Sequence, residues 1–178
     1  MTLPAYALPF GLRDVKLAPL NSDGVTYGAS VDLPASMTLS FAESQDSEEL
    51  RGDDVTIASH GNAPTVTWSL EAGGISLDAY KVLVGGTLTT SGVSPASKKT
   101  LNKKGTDQRP YFKIEGQIIS DSGGDVHAVI YKAKATGDVG GDFQEGQFYL
   151  TDCDGTGYTD ANGNLYDLVH NETAVANT

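Results

Sequence analysis

One cysteine, one tryptophan, two methionines and three histidines are spread over 178 residues, and each scarcity closes off a class of function. The lone Cys153 permits neither an intramolecular disulfide nor a cysteine-based metal cluster, so the chain fits an intracellular protein better than a disulfide-stapled secreted one. His60, His127 and His170 lack the i, i+4 spacing or H-E-x-x-H setting of a zinc site. His127 alternates with Val126 and Ala128 and reads as a solvent-side strand residue. Basic residues are also few: 12 Lys and Arg stand against 23 Asp and Glu, a formal net charge of −11. A surface of that sign repels phosphates rather than neutralising them, which argues against a nucleic-acid grip. No stretch approaches the ~20 apolar residues of a membrane-spanning helix. The opening MTLPAYALPFGLRD carries two prolines and no basic stretch ahead of an apolar core, so we expect neither a secretory signal nor an anchor there.

What is present is strand chemistry. Twenty-one glycines and a wealth of Thr, Val and Ser lean toward strands joined by tight turns. The length suits one domain, 1–178, with 1–10 and 171–178 as flexible arms and 43–54 and 86–105 as long loops. Gly11 to Leu20 reads as a short edge strand. In Ala35 to Glu43, Met37, Leu39 and Phe41 share one face while Ser36, Thr38 and Ser40 share the other. Its expected partner is Asp54 to Ser59, reached by an acidic connection too long for a tight hairpin. Asn62 to Glu71 places Val66, Trp68 and Leu70 in the core. One helix follows: Ser76 caps it, Ile75 and Tyr80 take staple positions, Asp78 sits in the first turn and Gly85-Gly86 ends it. Residues 86–105 suit either a loose loop or a short exposed hairpin.

Tyr111 to Ser120 and Asp125 to Ala135 flank the turn Ser120-Asp-Ser-Gly-Gly124 and make the clearest hairpin. Phe112, Ile114, Ile118, Val126, Ala128 and Ile130 should face in, with Glu115 and Gln117 facing out. Gly146 to Asp152 reads as a strand with Phe148 and Leu150 inward, and a final strand spans Leu165 to His170. The total is a mostly β sandwich or barrel of about eight strands flanked by one short helix.

Catalytic motifs are missing. There is no G-x-S-x-G elbow, no phosphate-binding loop and no G-x-G-x-x-G opening a helix. The run Asp152-Cys-Asp154-Gly-Thr-Gly157-Tyr-Thr-Asp160 matches several calcium-loop positions, but Gly163 occupies the twelfth, where the bidentate Glu belongs. A Gly/Asp/Asn turn is the expectation there. Glu48-Glu49 and Asp53-Asp54 are paired carboxylates in a polar connection with nothing apolar to raise a pKa. The chain is therefore read as a non-enzyme with no cofactor, no metal and no catalytic residue.

Three features bear on identity: the N-terminal LPFGLRDVKL, the acidic run Glu48-Glu-Leu-Arg-Gly-Asp-Asp54 ahead of a strand, and one short helix between halves of a β chain. Over roughly residues 9 to 170 they resemble the major tail (tail tube) proteins of long-tailed, siphovirus-type bacteriophages. That resemblance implies a structural virion protein whose copies form hexameric rings, stacked into a tube that conducts DNA during ejection. It implies assembly in the host cytoplasm, with tape-measure, tail-terminator and tail-tip proteins as partners and genomic DNA passing without specific binding. It assigns Glu43, Asp46, Glu48, Glu49, Arg51, Asp53 and Asp54 to the ring-to-ring contact, and Ser36, Thr38, Ser40, Glu115 and Gln117 to the lumen. Lys98, Lys99, Lys103 and Lys104 are then assigned to the exterior or to a subunit contact. The competing reading is a monomeric β-sandwich module for carbohydrate or receptor binding, using Tyr27, Tyr149, Tyr158 and Tyr166. A small hydrolase built on His60 or His127 has no motif behind it.

Overall fold

The computed structural model describes residues 3–177. Among them the chain forms twelve strands and one helix: Pro9–Pro19 (β1), Val31–Asp32 (β2), Ser36–Ser44 (β3), Ser47–Gly52 (β4), Val55–Gly61 (β5), Thr65–Gly73 (β6), Leu77–Val84 (α1), Thr87–Ser91 (β7), Lys98–Asn102 (β8), Phe112–Ser120 (β9), Asp125–Gly140 (β10), Leu150–Tyr158 (β11) and Tyr166–Asn171 (β12). The expected mostly β sandwich with one short helix is the observed fold.

The long strand β10 organises it. Its first half, Asp125 to Ile130, pairs with β9 and β12, while Lys132 to Gly140 pairs with β11. One strand thus serves two layers: β2-β1-β9-β10-β12, and β10-β11-β6-β3. Between them lies the core. Val15, Leu17, Phe112, Ile114 and Ile130 meet Val66, Trp68, Leu70, Ala133, Ala135 and Cys153. Trp68 and Phe112 cross the layers edge to face, ring centroids 5.7 Å apart. Cys153 is buried, which pushes its thiol up to about 12.

The helix forms as the sequence predicts. The Ser76 hydroxyl accepts from Ala79 N at 3.3 Å, and Gly85 ends it at φ 79°. Ala79, Val82 and Leu83 are its buried face. Ile75 is exposed, and the Tyr80 hydroxyl turns to that of Tyr149, 2.7 Å away.

Several expectations are corrected. β3 pairs with β6, not with the 54–59 segment, and a register shift between Ser36 and Thr38 leaves Met37 exposed. The acidic connection is itself strand β4, paired with β5, and turns through Asp53 and Asp54 at φ 50° and 64°. Two positive φ values in a two-residue loop are the hairpin turn that suits strand twist. Residues 87–102 likewise form a hairpin, β7-β8. The strand expected at 146–152 begins only at Leu150, leaving Phe148 outside it and exposed.

The supposed turn at Asp152 is an inner strand, β11, between β10 and β6. Its glycines are there for space. A Cβ on Gly155 would run into the Lys134 carbonyl and stand 2.6 Å from the Trp68 ring, and one on Gly157 would stand 2.8 Å from Ile130. The calcium-loop spacing therefore lies along an extended strand, where Asp152 and Asp154 point away from Cys153 and Gly155.

Candidate assembly surfaces

Three surfaces come from this arrangement: an open polar sheet face, a projecting hairpin and a polar face covered by the C-terminal segment.

The first is the outer side of the second layer. Alternation turns Val66, Trp68 and Leu70 inward, so Thr67, Ser69 and Glu71 face out, and β3 and β11 follow in register. Three rows cross the sheet: Thr38-Glu71-Asp152, Ser40-Ser69-Asp154 and Ala42-Thr67-Thr156. Apart from Ala42, hydroxyls and carboxylates make up these rows, with no basic side chain. Ser40 and Ser69 share a hydrogen bond of 2.6 Å, and Ser36 donates to the Leu33 carbonyl at 2.6 Å. Basic groups appear at its margin: Arg109 lines a cavity with Glu71 and Asp152, and on the next strand Lys132 and Lys134 each lie 5.0 Å from the centre of the Tyr111 ring. β3 ends the sheet, and among the described residues its far edge has no partner strand.

The second surface is the β4-β5 hairpin, whose strands, among the described residues, pair only with each other. It carries Glu48, Glu49, Arg51, Asp53 and Asp54, while Glu43 lies near the end of β3 and the Asp46 backbone carbonyl accepts from Asn62 N at its base. The Arg51 guanidinium reaches Glu49 at 3.1 Å, and the Glu43 carboxylate accepts from the Tyr166 hydroxyl at 2.9 Å. Among these charges Leu50, Val55 and Ile57 stand 63%, 63% and 67% exposed. The sequence places Val55 and Ile57 on a strand and Leu50 in a loop, and pairing that strand with 35–43 hid the fact that the three residues stand exposed on one projecting hairpin.

The third surface overturns an expectation. Glu115, Gln117 and His127, read as outward-facing, are each only 6% exposed. Residues 173–177 lie over them. Gln117 Nε2 donates to the Val175 carbonyl at 2.7 Å and to Asp125 Oδ2 at 2.6 Å, and Lys16 Nζ donates to the Asn177 carbonyl at 2.7 Å. Asp125 is the hub: it also accepts from Asn171 Nδ2 and Val175 N, both at 2.9 Å, and has His127 Nε2 at 2.9 Å. Burial opposes ionisation of Asp125, and these bonds outweigh it, holding the carboxyl well below the usual carboxylate range. His127 Nδ1 stands 3.5 Å from Glu115, which pairs with Lys113 at 3.0 Å.

The four tyrosines singled out for sugar contact engage within the chain. Tyr27 donates to the Tyr131 carbonyl, Tyr149 bonds Tyr80, Tyr158 packs edge-on against Tyr111, and Tyr166 bonds Glu43. Among the described residues no group of three His, Cys, Asp or Glu side chains is placed to hold a metal ion. Of these surfaces, the open face and the hairpin offer copies of the chain something to pair with. No protein-family model matches the chain, and no curated protein matches it.

Proposed function

We propose that this chain is the repeating subunit of a phage-type tail tube, a structural protein whose copies join edge to edge into hexameric rings that stack around a bore for DNA. The observation that carries the reading is the β3-β6-β11 face. It is open, polar and free of basic side chains in its three rows, and it ends at an unpaired strand edge. An unpaired edge exposes a line of N–H and C=O groups that a neighbouring copy can satisfy. A wall of hydroxyls and carboxylates gives phosphates nothing to hold, and the net charge of −11 adds repulsion. In this reading Ser36, Thr38 and Ser40 belong to the lumen rim, joined by Ser69, Glu71, Asp152 and Asp154. Glu115 and Gln117 reach the lumen only if residues 173–177 move off them.

The hairpin supplies the ring-to-ring contact. Its apolar triplet is the part that gains from leaving water, and its charges set register. Tape-measure, terminator and tip proteins are the partners this role requires, and the virion tail is its location.

Electron microscopy and sedimentation of the concentrated protein test the reading. Tubes or six-fold rings are expected; a species that stays at the 18.6 kDa monomer mass overturns it in favour of a lone sandwich module. Reversing Glu48, Glu49 and Arg51 together should abolish tube growth and leave the thermal melt unchanged, since an exposed ion pair contributes only about 0–1 kcal/mol. Unaltered polymerisation of that variant removes the hairpin from the contact.

A further inference from the structure

The two most exposed large hydrophobic side chains among the described residues are Phe148 at 95% and Phe143 at 84%, and both belong to the loop between β10 and β11. Phe143 stacks on Tyr149 with centroids 4.8 Å apart, and Tyr149 is tied to Tyr80 of α1. The loop is therefore anchored at one end and presents its aromatic rings to solvent. Residues 138–149 contain Asp138, Asp142 and Glu145 and no basic residue.

The complement of this loop lies on the same molecule. A groove of 440 Å³ runs beside α1, lined by Pro19, Val31, Val82, Leu88 and Pro110 together with Lys81 and Asp78. Lys103 caps the helix end through the Val84 carbonyl. Residues 81–104 contain five lysines and no acidic residue; Lys99 is paired with Asp78, leaving Lys81 on the lining and Lys103, whose Nζ would lie 3.6 Å from a Cβ on Gly85, as the groove's other cations. At about 100° per residue, Tyr80 and the loop it holds sit on one flank of α1, and Lys81, Val82 and Gly85 turn to the other. Knob and hole point in different directions from one helix.

We propose that the acidic aromatic loop of one copy docks in the lysine-rimmed groove beside α1 of the next copy. The pairing rests on the self-assembly reading and names a lateral contact within it. Opposite charge selects the partner and orients it, while the phenyl rings leave water. A contact between two different patches of the same chain repeats head to tail, so it closes a ring or runs on as a filament.

Charge exchange tests it, with light scattering against concentration and a thermal melt to confirm folding. The wild type should assemble. Asp142→Lys with Glu145→Lys should raise the concentration needed for assembly by about tenfold or more, as should Lys81→Glu with Lys103→Glu, and the quadruple variant should recover most of the loss. In addition, Phe148→Cys copies mixed with Leu88→Cys copies should give disulfide-linked pairs on mild oxidation; buried Cys153, its thiol pushed up to about 12, stays silent. If the wild type assembles while the double variants match it and no cross-link forms, the docking is wrong and self-assembly stands. If the wild type does not assemble at any concentration, both are wrong.

Discussion

Asp125→Asn removes one charge from the centre of the covered face and keeps the shape of the side chain. Asp125 is fully buried, and three donors converge on its Oδ2: Gln117 Nε2 at 2.6 Å, His127 Nε2 at 2.9 Å and Val175 N at 2.9 Å. An amide oxygen accepts two hydrogen bonds and carries no charge. Two of the three bonds fall from the charge-assisted range to the neutral one, the third donor loses its acceptor, and the new amide nitrogen faces the Asn171 donor on the other side, a loss of about 3 kcal/mol in all. For a chain of this size that corresponds to a melting midpoint lower by about 6–12 °C. The sign with pH follows from the depressed carboxyl. Its contribution is complete above the ordinary value of 3.8 and is lost as pH falls below that toward the folded-state value. Wild type should therefore lose stability in acid more steeply than Asp125→Asn, and the two should converge there. Hydrogen exchange at the Val175 amide reads the local event, because that N–H leaves its acceptor when the C-terminal segment lifts. A midpoint within about 2 °C of wild type, with unchanged exchange at Val175, would refute the hub.

Two further substitutions probe the elements that position the open face. Gly155→Ala places a methyl against the Lys134 carbonyl and 2.6 Å from the Trp68 ring, and should cost about 3 kcal/mol or more by forcing β11 away from β10; chemical denaturation measures it, and a near-neutral result would mean β11 is not held where described. Ser76→Ala removes the acceptor for Ala79 N and should cost about 1 kcal/mol with no change in sheet content by circular dichroism.

The elements that could be read from sequence are those whose inward positions carry bulk. β6 offers Val66, Trp68 and Leu70 against polar neighbours, β9 offers Phe112 and Ile114, and α1 has a cap, a buried stripe and a glycine stop. β11 defeats the same method. Its inward residues are Thr151, Cys153, Gly155 and Gly157, small because Trp68 and Ile130 fill the space opposite. With no hydrophobic period left, the glycines read as a turn. β4 fails for another reason: a strand that packs on no core keeps charges on both faces, so Glu48, Glu49 and Arg51 look like loop.

The candidate lumen residues split on a distinction no local window contains. Glu115 and Gln117 alternate with Ile114 and Ile118 just as Ser69 and Glu71 alternate with Leu70, yet the first pair is covered and the second is not. What separates them is a segment far along the chain: Gln117 and the Val175 carbonyl are 58 positions apart. Alternation reports which side of a sheet a residue takes, and only tertiary contact decides whether that side meets water. Burial of that polar set is tolerable because donors and carboxylates answer one another around Asp125. The β3-β6-β11 face has a much thinner set, with Arg109 lining one cavity beside Glu71 and Asp152 at its end. Its carboxylates at Glu71, Asp152 and Asp154 share their rows with hydroxyls and no cation, so burying that face against a dry partner would strand charge at a cost of several kcal/mol per ion. A surface with that chemistry is stable facing water and not in a dry subunit interface, and the proposed tube meets that requirement only if this face lines its solvent-filled bore.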